Sequence, residues 1–315
     1  YTVVSYTKDK IVFKIPDSEP CTQDFGINIR FILPQGGIES HTSFTRFTFT
    51  RTGKWSVLNG NAPLYELAGA FYNGEVYALD RTSAFFGDAP FYKYNPTTNQ
   101  WTTLKSNPSP SHISQSLVEC NGEIYVGFLR NSTQNTNLFK YNIQSNTWIP
   151  CAIYPPPAFA FWNLVAFSMK NKIYVFEEGA NTKWIYEPIN NVWVKGKSNV
   201  PAFTINTRML VFNEEYYFYS GAGSNLYKYN IQEDTFTSVF ISGLNGVNNC
   251  FTVKDKIYFM NGCSVFELDM LNKTVINKPE FSYYLSHMGN FSFFFEDNSK
   301  AYFLDTYQYL IAFTP

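Results

Sequence analysis

The chain has 315 residues, a formal net charge of -1 and only 16% charged residues, a balance that gives no electrostatic footprint for a nucleic-acid partner. Hydrophobic residues make up 45% and aromatics 19%, with 31 Phe and 23 Tyr, an enrichment that suits pleated, half-buried strands. No apolar run reaches the length of a membrane span; the densest, NFSFFF at 290–295, is strand-sized, so no membrane insertion is expected.

In chain order, the first unit, residues 1 to about 60, is irregular. DKIVF at 9 leads into a long stretch holding Cys21, FGINIRFIL and PQGG before the strand pair RFTFTRTGKWSVL around Trp55. Beyond it a period sets in. A polar turn followed by an aromatic strand recurs as NGEVYAL at 73, NGEIYVGF at 121, NKIYVF at 171, NEEYYFY at 213, DKIYFM at 255 and NSKAYFL at 298. A second string, YKYNPTTNQW at 92, returns as FKYNIQSNTW at 139, WIYEPINNVW at 184 and YKYNIQEDTF at 227. Its closing aromatics, Trp101, Trp148, Trp193 and Phe236, are spaced by 47, 45 and 43 residues.

Periods of roughly 20 to 50 residues mark solenoids and propellers. Apolar stretches such as SLVEC or NLVAF precede the polar turns, and Asn-Gly between such runs is a strong hairpin signal because type I′ turns need positive φ at both central residues. Each unit therefore reads as an inner strand, a tight turn, a second strand, a variable loop, a third strand, an Asn-rich turn and a fourth strand opening near the Trp. No capped helix with a 3.6-residue period is read. The fold class is all-β: a β-propeller of four-stranded antiparallel blades, forming one domain over residues 1–315. Counting the fainter DKIVF copy, seven polar turns predict seven blades. In the alternative, the Trp55 strand completes the last blade, which leaves six blades and an N-terminal extension.

The stretch KYNPTTNQWTTLKSNPSPSHISQSLVECNGEIYVGF at 93–128 resembles a kelch repeat: Tyr-Asn, a turn, Trp, a Pro-rich link, then a polar turn and IYV. The resemblance covers most of the chain and is clearest from about 64 to 275. Where kelch repeats usually carry Gly-Gly after the second strand, this chain has GFLR, EEGA, SGAG and MNGC. The resemblance implies a propeller that recruits protein or peptide partners. Galactose oxidases use a propeller of this superfamily to hold copper on Tyr and His beside a Tyr–Cys cross-link, and plant specifier proteins hold iron on spaced Glu, Asp and His. Neither set can be matched here residue by residue, so no cofactor and no metal is expected.

Other chemistry is sparse. His41, His112 and His287 are the only histidines, and the carboxylate pairs Glu177–Glu178 and Glu214–Glu215 are neighbours that a strand would point to opposite faces. There is no G-x-S-x-G, H-E-x-x-H or P-loop, and no catalytic residue is assigned. The five cysteines are odd in number and form no C-x-x-C, which favours free thiols in a reducing, cytoplasmic compartment. The sequons at Asn131, Asn272 and Asn290 point instead to an extracellular setting.

What remains is a loop face. The links entering the inner strands contribute Tyr65, His112, Trp162, Arg208 and His287, and the loops between second and third strands contribute Arg81, Phe85, Phe86, Arg130 and Lys183. Phe85 and Phe86, adjacent in RTSAFFGDAP, are the aromatic pair most suited to a partner contact. The expected function is a non-catalytic protein-interaction scaffold. The alternatives are a lectin-like site for a glycan or small ligand in the central depression, with Tyr65 and Trp162 as platforms, and, last, a propeller enzyme of the oxidase or sugar-isomerising kind.

Overall fold

The computed structural model describes residues 67–80, 88–110, 116–127, 138–155, 164–177, 182–204, 207–221, 223–244, 247, 249–261, 264–278, 299–304 and 309–315, with the strands at 2–7, 10–14, 27–32, 38–43, 55–61 and 293–296. Five four-stranded antiparallel blades follow one another. Blade I is built from Leu67–Tyr72, Glu75–Asp80, Phe91–Asn95 and Gln100–Thr103. Blade II uses Ser116–Cys120, Glu123–Gly127, Phe139–Asn142 and Thr147–Pro150; blade III uses Leu164–Met169, Lys172–Glu177, Lys183–Glu187 and Val192–Lys195. Blade IV uses Arg208–Phe212, Glu215–Tyr219, Asn225–Asn230 and Thr235–Phe240, and blade V uses Asn249–Val253, Lys256–Asn261, Ser264–Asp269 and Thr274–Asn277.

A further four-stranded sheet, the closing sheet, joins Phe293–Glu296, Ala301–Leu304 and Tyr309–Phe313 to Trp55–Asn61. Trp55 pairs with Phe313 and Val57 with Ile311, so this strand does not belong to a separate first blade, where the seven-blade reading placed it. The residues that reading needed for the rest of that blade form two separate two-stranded ladders, Thr2–Thr7 with Lys10–Lys14 and Ile27–Ile32 with Ile38–Ser43. The physical reason is the last sheet's open edge: the third strand, Tyr309–Phe313, exposes a full row of backbone groups that the Trp55 strand satisfies.

The first and second strands of each blade meet in a two-residue turn with both φ values positive, as right-handed strand twist requires. Asn73-Gly74 (51° and 79°) and Asn121-Gly122 (56° and 79°) fit this without strain. Blades III to V place Lys170-Asn171, Asn213-Glu214 and Lys254-Asp255 in the same left-handed conformation, a steric cost of about 1 kcal/mol per Cβ-bearing residue that the surrounding ladder carries.

Second strands are buried on both faces because each blade lies between two others: Val76 to Leu79, Ile124 to Val126 and Ile173 to Phe176 are all buried. The apolar clusters span neighbouring sheets. Tyr77, Leu79 and Phe91 of blade I pack with Leu117, Ile124 and Tyr141 of blade II, and Cys120 and Tyr125 of blade II pack with Ile173 and Tyr186 of blade III. Blades III and IV share Phe176, Phe203, Phe218 and Tyr229, and blades IV and V share Tyr219, Leu226, Ile257 and Phe259. The closing sheet packs on both sides, through Phe303 and Phe313 against Phe251 and Tyr258 of blade V, and through Tyr302 and Leu310 against Val76 and Tyr94 of blade I.

The repeated Tyr-Asn-turn-Trp string makes two kinds of contact. Its first Asn acts locally: Asn95 Oδ1 accepts from the amides of Thr97 and Thr98, and Asn230 Oδ1 from those of Gln232 and Glu233. Its second polar residue (Asn99, Asn146, Asn191 or Asp234) has a φ between 51° and 56°, a left-handed position that Asn and Asp tolerate. That residue accepts the Tyr hydroxyl of its own blade, at 2.8 Å for Tyr94–Asn99, Tyr141–Asn146 and Tyr186–Asn191. It also reaches the link leaving the blade before. The Lys105 amide donates to Asn146 Oδ1 at 2.8 Å while Trp148 Nε1 donates to the Lys105 carbonyl at 2.8 Å. At the next seam the Ala152 amide donates to Asn191 Oδ1 at 2.7 Å, and Trp193 Nε1 to the Ala152 carbonyl at 2.9 Å. The motif is thus a latch between blades.

Trp101 is the exception among the described residues, since its buried Nε1 meets no acceptor. Trp148→Phe should therefore cost about 1 kcal/mol more than Trp101→Phe, because only the former breaks a hydrogen bond. Urea denaturation of the two variants checks this; equal losses would remove the indole from the latch.

Candidate binding face

Antiparallel alternation sorts the connections of a blade between two ends. Turns between first and second strands, and between third and fourth, fall at one end. Links entering the first strands, and connections between second and third strands, fall at the other. The first strands of neighbouring blades lie against one another, which puts them innermost around the axis. The turn end is uniform: two-residue hairpins and turns with a left-handed residue, Asn or Asp in blades I to IV and Lys273 in blade V, recur from blade to blade. Length varies at the link end. The connection from second to third strand runs over 81–90 in blade I and 128–138 in blade II, against 178–182, 220–224 and 262–263 in blades III to V. In blade I it carries an added ladder, Asp88–Ala89 with Asn107–Pro110.

Eight of the ten candidates, Tyr65, Arg81, Phe85, Phe86, His112, Arg130, Trp162 and His287, lie outside the described residues, as do Asn131 and Asn290. Asn272 is exposed in the third-to-fourth-strand turn of blade V, at the end away from the links. Arg208 opens the innermost strand of blade IV and is half-buried; its Nη1 donates to the Thr207 carbonyl at 3.3 Å. Burial lowers its pKa from the ordinary arginine value, opposed by Cys250 of the adjoining blade. A guanidinium in such a place stays protonated.

Lys183 is not a loop-face residue. It opens the third strand of blade III, pairs with Phe176 and is fully buried. It occupies the inward register held by Phe91 in blade I and Leu138 in blade II: the backbone amide three residues past each Trp, at Leu104, Cys151 and Gly196, donates to the carbonyl of Phe91, Leu138 and Lys183 respectively. The reason a cation is tolerated there is its set of partners. Nζ lies 2.6 Å from Asp234 Oδ1, 3.0 Å from the Lys197 carbonyl and 2.9 Å from Asn199 Oδ1. It also sits 5.6 Å from the Tyr229 ring centroid and 5.4 Å from that of Phe236, within cation–π range.

The electrostatics follow from burial. Desolvation lowers the Lys183 pKa from its usual value, against the opposing effect of the hydrogen bond it donates to Asp234. For Asp234, burial alone would raise the carboxyl, but Lys183, the Tyr229 hydroxyl and the Lys197 amide together hold it below the ordinary value. Burial and then Asp234 push the Tyr229 phenol upward. The sequence reading missed Asp234, Asn199 and Gly196. Their signal was the simultaneous departure of three repeat positions, with Lys for an apolar residue, Asp for Asn and Phe for Trp.

Among the described residues no three His, Cys, Asp or Glu side chains gather where they could share a metal ion. Glu177, buried at the end of the second strand of blade III, accepts from Tyr154 at 2.9 Å and from Thr182 at 2.8 Å. Cys120, Cys151 and Cys250 carry free thiols.

These blades and their latches define a β-propeller of four-stranded antiparallel blades. The chain is similar in fold to the structure of YjhT, a kelch-repeat propeller protein, with 15% identity, a TM-score of 0.50, and coverage of 70% of this chain and 76% of that one. No family model matches the sequence, and no curated protein matches it. In all, 704 chains of solved structures match, so the architecture is common and does not by itself assign an activity.

Gly196 leaves no room for a side chain at this seam. A Cβ there would stand 2.7 Å from Lys183 Cγ and 2.9 Å from its Cε, on a side chain whose head group is held by three partners. Gly196→Ala should destabilise the chain by about 1–3 kcal/mol, the usual cost of overpacking. Its thermal midpoint against wild type measures this, and an unchanged midpoint would show that Lys183 can move aside.

Proposed function

We propose that this propeller is a non-catalytic scaffold that holds a protein or peptide partner on its link end. The observation that carries the reading is the division of labour between the two ends. The repeated aromatic and amide side chains at the turn end are engaged in seams, whereas the connections that differ from blade to blade gather at the link end. Variable loops on a rigid scaffold are where binding residues concentrate. Within that end, the blade I connection holding Arg81, Phe85 and Phe86 is the proposed anchor, because aromatic and Arg side chains dominate interface energetics. A reducing, cytoplasmic setting belongs to the same proposal and is supported by the free thiols of Cys120, Cys151 and Cys250.

The double variant Phe85→Ala, Phe86→Ala should fold as wild type and lose partner recovery in a pulldown from the native cell extract, by roughly tenfold or more for a hot-spot pair. Equal recovery by both proteins would remove this loop from the site.

The ring is proposed to close at six blades, a count supported by the pairing of Trp55–Asn61 with Tyr309–Phe313 and by the packing of that sheet against blades V and I. Removal of residues 1–43 should then leave a single cooperative unfolding transition. Removal of residues 1–61 should abolish it or lower its midpoint sharply. A chain that unravels equally in both cases would contradict six-blade closure.

A further inference from the structure

Three consecutive seams use the same backbone position, four residues past the fourth-strand aromatic of the preceding blade: Lys105, Ala152 and Lys197. In each case the amide donates to the left-handed turn residue of the next blade, which is Asn146, Asn191 or Asp234. The carbonyl at the first two seams accepts an indole N–H, from Trp148 or Trp193. At the third, Phe236 stands in the Trp position and has no such donor. There the Lys197 carbonyl accepts from Lys183 Nζ, supplied by the preceding blade rather than the following one.

We propose that the seam between blades III and IV is a charge-dependent latch, in which the Lys183 ammonium replaces the indole N–H of the neighbouring seams and whose closure requires the Lys183–Asp234 pair. Four positions change together. Lys183 stands where blade II has Leu138, Gly196 where it has Cys151, Asp234 where blade III has Asn191, and Phe236 where it has Trp193. The changes depend on one another: the lysine without Asp234 would bury an unpaired cation, the phenylalanine without the lysine would leave a carbonyl without its donor, and a Cβ at 196 would strike the lysine stem. In combination every group has a partner. Asn199 completes the set, its Oδ1 accepting from Lys183 and its Nδ2 donating to the Asp234 carbonyl at 2.7 Å.

The groups facing the pair come from each element around it. Asp234 meets Lys183 from the third strand of blade III, the Lys197 amide from the link, Tyr229 from its own blade and Tyr174 from the second strand of blade III. Lys183 meets Asp234 and, in repulsion, the Lys197 ammonium, which is itself anchored on the Glu233 carbonyl at 2.6 Å. Because the Asp234 carboxyl is held below its ordinary value, its contribution is complete above the usual carboxylate range and is lost as pH falls through the lowered value. Protonated Asp234 would leave Lys183 buried with neutral acceptors alone. The seam between blades IV and V carries no such pair. Lys273 and Val275 occupy the equivalent positions, and Ser242 bridges Thr274 through backbone bonds, Ser242 N to the Lys273 carbonyl at 2.8 Å and Val275 N to the Ser242 carbonyl at 3.2 Å.

Native-state hydrogen exchange on the full chain tests the latch, with the seam between blades II and III as internal control. At neutral pH, Asp234→Asn should lower protection of amides 183–187 and 235–240 on the order of a hundredfold, as loss of one partner of a buried pair does. Amides 124–126 and 139–142 of blade II, which share no ladder with those strands, should keep theirs. Equal loss at both seams, or no loss at either, would overturn the proposal. Should that variant unfold, the fourfold exchange Lys183→Leu, Gly196→Cys, Asp234→Asn, Phe236→Trp decides. It should fold, restore protection at the seam and, after correction for intrinsic exchange, abolish the extra loss that wild type shows there on acidification. Failure of the fourfold variant to fold, or an undiminished acid loss in it, would equally overturn the latch.

Discussion

The structure depends on one hydrogen-bond pair that recurs at the three seams from blade I to blade IV, in which the link leaving one blade gives its amide to the next blade's left-handed turn and receives a donor on its carbonyl. Apolar packing between sheets is strong but non-directional, and a stack of twisted sheets joined by it alone could slide. The pair at Lys105, Ala152 and Lys197 fixes one sheet against the next at the outer end of each seam. The Tyr hydroxyl that binds the same turn residue ties the pair to the buried third strand. Turn conformation, sheet register and blade spacing therefore meet at one side chain, and its left-handed φ limits the choice to Asn, Asp or a residue that bears the strain.

The proposed closure of the ring raises a related demand. A propeller assembled only from consecutive sequence would leave one four-stranded sheet short or two sheets with unprotected edges. Pairing Trp55–Asn61 with Tyr309–Phe313 joins distant parts of the chain in one ladder, so the closing sheet cannot come apart without breaking long-range contacts. Leu58 of that strand packs into the cluster shared by Tyr302, Leu310 and blade I, which extends the same core across the junction.

The blades were legible because their signals are local. Asn-Gly turns, alternating apolar strands and the Trp spacing all lie within about 50 residues of one another, the range in which periodicity carries information. The closing strand was legible only as an alternative, since nothing near Trp55 states which edge it will join. The Asn-rich turn was legible as a turn, and Asn95, Asn142 and Asn230 do accept from amides of the same turn, but the sequence does not display the seam across which Asn146 and Asn191 act. Lys183 was placed on the surface for a similar reason. A lysine beside a loop reads as solvated unless its distant carboxylate is known, and Asp234 is a blade away. Arg208, read as part of the link entering an inner strand, is the first residue of that strand, a difference of one position at an element boundary.

These substitutions indicate what the repeat specifies. Across the second and third strands, Glu75 pairs with Lys93 and Glu123 with Lys140, while in blade V the signs are exchanged, Lys256 with Glu267. Opposite charge is the requirement there, and the residue is free to change; such partly exposed surface pairs contribute only about 0–1 kcal/mol. At the seam the requirement is a donor for a carbonyl and an acceptor for an amide, met by Trp with Asn, by Lys with Asp, or by the backbone bridge at Ser242. A propeller built on demands of this kind can lose most of its signature residues and keep its blades. It follows that the residues most conspicuous in the repeat answer the demands of the seams and are poor guides to any activity of the chain.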